Sequence, residues 1–125
     1  MKNYLDSNVL AYAFYENAHQ EACQQTIEKG GVIGTLCLME AFHAIERETS
    51  REVAQDCVRK LLRGNFQIIG MDINMFFEAL KRTAHAKLNM ADTIHYTCAL
   101  LTNCSAILTF DKDFNGLDIP REEPR

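Results

Sequence analysis

No apolar run in this chain approaches the roughly 18 residues that a membrane-spanning helix needs. The opening MKNYLDSN is interrupted by Asp6 before a signal-peptide core can form. The expectation is a cytoplasmic protein that does not associate with membranes. CxxC pairs are absent too. The five cysteines, Cys23, Cys37, Cys57, Cys98 and Cys104, are odd in number and sit mostly in apolar runs, so they read as reduced core residues. His19, His43, His85 and His95 show no ligand spacing with them, which argues against a zinc site. Repeats, low-complexity segments and internal linkers are lacking. So is an excess of positive charge. The net charge of −4 argues against gripping nucleic acid by bulk basicity, an argument that weakens if metal neutralises several acids at one place.

What is present is the composition of an ordinary globule. The 125 residues are 47% hydrophobic and 24% charged, enough for a single core without disulfides. One domain is expected over residues 1–118, followed by a charged, proline-flanked, mobile tail over 119–125.

Strands are expected at 2–5 (KNYL), 32–35 (VIGT), 67–71 (QIIGM) and 106–110 (AILTF), with a weak fifth near 117–119. Helical patterns cover about 8–17, 19–28, 36–48, 51–62, 73–87 and 90–102. Gly30-Gly31 ends the second in the manner of a C-cap, and Ser50, Asp72 and Asn89 stand where N-caps belong. Apolar strands separated by helical crossovers indicate a parallel sheet covered on both faces. Such sheets bind ligands outside the carboxyl ends of their strands. The first and fourth strands run directly into Asp6 and Asp111, so both acids fall on that rim.

Asp92 is the most informative acid. From Leu88 to Phe110 it is the only charged side chain apart from His95 when protonated, and its helix is apolar almost all round. A buried carboxylate is costly without a partner, and no Lys or Arg lies near in sequence. The bland alternative is a capping pair, Asn89 with Asp92 in the first turn. Asp6 likewise reads as a simple N-cap when taken alone. Glu40 falls at the edge of an apolar helical arc one turn beyond a strand end, where a Glu is ordinarily just solvated. Asp111-Lys112-Asp113-Phe114-Asn115-Gly116 with Glu122 satisfies the EF-hand pattern. A preceding strand, an Asp118 where that loop wants an apolar residue, and Pro120 inside the loop all argue against it, and an Asx turn is the plain alternative. Together, four acids from four distant segments meet on one rim, where uncompensated carboxylates would repel. Hard divalent cations with oxygen ligands, Mg²⁺ or Mn²⁺, are the natural compensation. Such an ion can activate water and clamp a phosphoryl group.

YLDSNVL, LCLMEAFHAI, MADTIHYTCAL and AILTFDKDF, in that order over nearly the whole chain, resemble the PIN-domain family. The first and last carry most of the specificity. The resemblance implies a three-layer α/β/α fold with a central, mostly parallel sheet of four or five strands. It also implies metal-dependent RNA hydrolysis leaving a 5′-phosphate and a 3′-hydroxyl. On this likeness Asp6, Glu40, Asp92 and Asp111 are the catalytic acids, with Asp6, Asp92 and Asp111 on the main cation. Glu40 would serve a second ion or orient water. Asp113 becomes an accessory acid, while Asn8 and Thr109 match supporting polar positions. The small size resembles the toxins of toxin–antitoxin pairs, which implies a homodimer and a small antitoxin partner. Lys81, Arg82 and Lys87, within a basic cluster that includes His85, are expected to contact RNA phosphates, although each basic cluster also reads as a solvated helix face. Arg59, Lys60 and Arg63 form another such cluster. His95 is assigned to the core with no catalytic role. A catalytically silent PIN-like scaffold and a housekeeping RNA-processing nuclease are the alternatives. A dehalogenase-like phosphatase lacks its second Asp at Asn8, and a receiver domain lacks its adjacent acidic pair.

Overall fold

Alternating apolar strands and amphipathic helices settle into a parallel sheet in the computed structural model, which describes residues 2–84 and 87–125. In chain order the elements are β1 (Asn3–Leu5), α1 (Ser7–Tyr12), α2 (Gln20–Lys29), β2 (Gly31–Gly34), α3 (Thr35–Glu48), α4 (Arg51–Leu62), β3 (Phe66–Ile69), α5 (Ile73–Arg82), α6 (Met90–Leu101), β4 (Ala106–Leu108) and β5 (Arg121–Glu122). A short 3₁₀ turn spans Lys112–Phe114. The strand order is β3-β2-β1-β4-β5, and every pairing is parallel. The chain first steps from β1 out to β2 and β3, then returns across β1 to β4. Crossovers in parallel sheets are right-handed, so this reversal sends α5 and α6 to the face opposite the earlier helices. The result is the expected three-layer α/β/α arrangement. The reversal also creates a switch point between β1 and β4, the position where such sheets bind ligands.

The core lies where the sequence puts its apolar runs. Leu5, Val9, Leu10, Val32, Ile33, Ile45 and Ile107 are fully buried. All five cysteines are free and buried, as their surroundings suggest. Ser50, Asp72 and Asn89 cap α4, α5 and α6 by accepting from backbone N–H groups. Asn103 closes α6 in the left-handed region (φ 57°), and the Cys104 N–H returns to the Ala99 carbonyl.

Several boundaries differ from expectation. Helix α1 stops at Tyr12, not near residue 17. The Asn17 side-chain amide donates to the Tyr12 and Tyr15 carbonyls at 2.8 and 2.7 Å, competing for acceptors that a longer helix would use. Helix α5 ends at Arg82, and the Thr83 hydroxyl takes up the Leu80 carbonyl. The expected continuation to 87 includes His85 and Ala86, which lie outside the described residues. The fifth strand is Arg121–Glu122 and not 117–119, so the segment expected as a tail supplies the sheet edge. Buried Ile119 anchors it, and Arg121 ties it down through the Thr109 carbonyl and the Asn115 side chain. A short charged strand suits an edge position.

Candidate active site

Three elements each bring two polar side chains to the carboxyl rim of the sheet, by spacing alone. Along β1, residues two apart face the same side, so Tyr4 stands beneath Asp6. Residues three apart share a helix face, so α3 presents Cys37 and Glu40 together and α6 presents Asp92 and His95 together.

Asp6 is almost fully buried and does two things at once. Its Oδ1 caps α1 by accepting from the Ser7 N–H at 2.7 Å. Its Oδ2 accepts from the Thr109 hydroxyl at 2.8 Å. Asn8 donates to Thr109 Oγ1 at 3.1 Å, and its own carbonyl oxygen faces the Phe110 N–H at 3.4 Å. Thr109 Oγ1 in turn accepts from the Asp111 N–H at 3.0 Å. Asp6, Asn8, Thr109 and Asp111 are thus one hydrogen-bonded unit across the β1/β4 switch point.

The acids sort into two adjoining groups. Donor atoms of Asp6, Glu40 and His95 lie within 4.8 Å of one another, and so do those of Asp92, Asp111 and Asp113. The capping pair proposed for Asn89 and Asp92 is real: the Asp92 N–H donates to Asn89 Oδ1 at 2.8 Å. That backbone bond leaves the Asp92 carboxylate free to face its neighbours. Asp92 is half-buried at the helix start, less enclosed than the apolar helix around it suggests. Burial, then Asp111 and Asp6, push its pKa up to about 6. Asp111 likewise caps the 3₁₀ turn through the Asp113 N–H, so the Asx-turn alternative also holds. Strands flank this loop on both sides, which disposes of an EF-hand.

His95 is the residue that sequence reasoning passed over. Its ring is 1% exposed, with Nε2 2.6 Å from Glu40 Oε1 and 3.6 Å from Asp6 Oδ1. Its Nδ1 is 2.7 Å from the Tyr4 hydroxyl, which also meets Cys37 Sγ at 3.0 Å. Burial alone would lower the His95 pKa, but the Cys37 sulfur, the Glu40 hydrogen bond and the Asp6 charge outweigh it and raise it well above its ordinary value. Burial likewise opposes ionisation of Glu40, yet the His95 hydrogen bond and charge, with the Ser7 hydroxyl, hold its pKa below the usual range. The two shifts agree. The signal was present in the sequence, since His95 stands one helical turn from Asp92 on the same face.

Among the described residues, no Lys or Arg pairs with Asp6, Asp92, Asp111 or Asp113. The carboxylates are therefore short of positive charge, and their hard oxygen donors fit a divalent cation of the Mg²⁺ or Mn²⁺ class. Beside Glu40 opens a cleft of about 370 Å³ between α1 and α3, lined by Ser7, Asn8, Tyr12, Tyr15 and Arg47 among others. Lys81 and Arg82 both pair with Glu78 on α5, and Lys87 is exposed ahead of the Asn89 cap.

Comparison with known proteins agrees with this fold. VapC20 of Mycobacterium tuberculosis, a sarcin–ricin loop cleaving toxin, superposes with a TM-score of 0.84 at 11% identity, covering 98% of this chain and 100% of that one. A toxin–antitoxin complex from Klebsiella pneumoniae gives 0.75 at 18% identity, covering 99% and 98% respectively. VapBC2 from Rickettsia felis, bound to a DNA fragment from their promoter, gives 0.75 at 17% identity over the whole of both chains. A comparison with curated proteins returns no match. The sequence profile of the PIN domain matches residues 4–120, and the chain belongs to that family.

Proposed function

We propose that this protein is a metal-dependent endoribonuclease acting in the cytoplasm as the toxin of a toxin–antitoxin pair. The observation that carries the reading is the pair of adjoining acidic groups at the switch point, Asp6 with Glu40 and Asp92 with Asp111 and Asp113. Among the described residues no Lys or Arg pairs with Asp6, Asp92, Asp111 or Asp113. In a PIN-domain chain, that arrangement is what a nuclease centre requires.

Asp6, Asp92 and Asp111 are the residues to hold a Mg²⁺ or Mn²⁺ ion, with Glu40 and Asp113 at its margins. Such an ion, when bound, supplies Lewis-acid stabilisation of the phosphoryl oxygens and a water of lowered pKa. The chain's own part is positional. Thr109 and Asn8 fix the Asp6 carboxylate, so little reorganisation accompanies the reaction. Glu40, at the edge of the cleft, orients the attacking water. RNA enters along the cleft beside Glu40, where Tyr12 and Tyr15 offer stacking surfaces and Arg47 a phosphate contact. Among the described residues Lys87 is exposed and in no ion pair, whereas Lys81 and Arg82 are engaged by Glu78.

Two protein partners belong to the same reading. The relatives above include toxin–antitoxin assemblies, which supports a small antitoxin that covers the acidic groove. A second copy of the chain fits α5. Ile73, Phe76, Phe77 and Leu80 recur at helical spacing along its outer face and are 66%, 39%, 56% and 50% exposed. A two-fold axis would bury such a stripe against itself.

The test is incubation with a mixed-sequence single-stranded RNA in Mg²⁺, Mn²⁺ or EDTA. Cleavage to 5′-phosphate and 3′-hydroxyl ends, abolished by EDTA and restored by added metal, is expected. Undiminished cleavage in EDTA would overturn the mechanism.

A further inference from the structure

Beneath the carboxylates lies a second, buried layer of polar groups that the nuclease reading does not require. His95 is its centre. One ring nitrogen meets Glu40 at 2.6 Å and the other meets Tyr4 at 2.7 Å, with the ring shut off from water. The Tyr4 hydroxyl and Cys37 Sγ are 3.0 Å apart. Cys37 Sγ also accepts from the Gly34 N–H and donates to the Leu5 carbonyl, both at 3.4 Å. Each member is fixed by the next, and among the described residues no buried side-chain nitrogen or oxygen lacks a partner.

The direction of these bonds follows from the acceptors. Carboxylates can only accept, so His95 Nε2 must carry a hydrogen to sit 2.6 Å from Glu40. In a neutral ring Nδ1 is then the acceptor, and the Tyr4 O–H donates to it. In a charged ring Nδ1–H donates to the Tyr4 oxygen, and the Tyr4 O–H turns to Cys37. In both states Tyr4 keeps the Nε2 hydrogen aimed at the rim. Solvent cannot take its place at a ring 1% exposed.

We propose that His95, locked by Tyr4 and Cys37, is a positioning residue that holds Glu40 in place for metal and water. It touches neither substrate nor the reacting atoms. The proposal rests on the nuclease reading for its purpose. Its geometry, however, can be tested without RNA. Partners of this kind behind metal-binding carboxylates and imidazoles are typically worth about 10–100-fold in metal affinity. A histidine that merely fills the core would have no such effect, provided the fold survives.

The experiment measures Mn²⁺ binding to the full chain by calorimetry, and RNA cleavage in parallel, for His95→Leu, His95→Gln and Tyr4→Phe. His95→Leu should weaken Mn²⁺ about 10-fold or more. It should lower kcat for RNA while leaving KM unchanged. His95→Gln places an amide N–H near the position of Nε2 and should recover most of both. Tyr4→Phe keeps the ring packing, removes only the lock, and should fall between them. A folded His95→Leu variant with wild-type Mn²⁺ affinity and kcat would overturn the proposal. If His95→Leu does not fold, Tyr4→Phe decides. Weakened Mn²⁺ binding in that folded variant supports the proposal, and unchanged binding overturns it. A wild type whose Mn²⁺ affinity depends on His95 in this way but which leaves RNA intact would sink the nuclease reading alone.

Discussion

Asp92 shows how one residue can be costly to the fold and necessary to the site. Its pKa of about 6 lies above that of a carboxyl in an unfolded chain, so the folded state holds the proton more tightly. For a raised carboxyl the sign is unfavourable to folding at high pH. The cost is absent below the unfolded pKa, grows as pH rises, and is complete above about 6. Removing the charge should therefore stabilise the metal-free protein. Asp92→Asn is expected to raise the melting temperature in EDTA at pH 7.5 by roughly 3–5 °C, on the order of 1 kcal/mol after solvent screening of this half-exposed group. The gain should vanish near pH 4. Thermal denaturation at both pH values checks it, and a lowered melting temperature at pH 7.5 would contradict the repulsion argument. Divalent metal reverses the balance, because it stabilises only the form that binds it. At this scale the sequence was informative about Asp6, Asp111 and Glu40, which stand at a strand end or one turn from one, while Asp92 stood out as the lone acid of an apolar helix. For His95 the sequence offered only the spacing of one helical turn from Asp92. A lone histidine in an apolar helix reads as core, and only its neighbours in space reveal that both ring nitrogens are engaged.

Among the elements, the edge strand is the least expected. Charge and proline made residues 119–125 look like a tail, because short edge strands are written in the same residue types as tails. What distinguishes them is tertiary. Ile119 reaches the core, and Arg121 joins the Thr109 carbonyl, Asn115 and Glu123 at 2.7–3.0 Å. Arg121 thereby fastens both ends of the loop that carries Asp111 and Asp113. Arg121→Ala should cost about 1–2 kcal/mol of stability, the loss of charge-assisted bonds, and should weaken Mn²⁺ binding by loosening that loop. Chemical denaturation together with metal titration checks both. A variant as stable as the parent would restore the tail interpretation. Helix α1 carries the same lesson. Its apolar pattern runs on past Tyr12, but Asn17 captures the carbonyls that would extend it.

For the whole molecule, the alternation of strand and helix fixed the layering and the rim before any contact was known. The strand order, and hence the switch point between β1 and β4, required the crossover at β3 to be seen. The outer face of α5 carries Ile73, Phe76, Phe77 and Leu80 at helical spacing. Only the fold shows that Phe77 and its neighbours point outward. If that face joins two copies, Phe77→Glu should convert a dimer to a monomer with little change in the melting of the protomer. Light scattering after gel filtration measures this, and a variant that remains dimeric would move the interface elsewhere.

On the proposed function, the acids at the switch point would hydrolyse RNA with a bound divalent cation. The most direct measurement compares cleavage of single-stranded RNA in Mn²⁺ by the wild type, Asp6→Asn and Asp92→Asn, with circular dichroism to confirm that all three are folded. Metal-dependent cleavage by the wild type is expected, with a loss of about 100-fold or more in each variant. Cleavage that survives both substitutions in folded protein would contradict the proposed function.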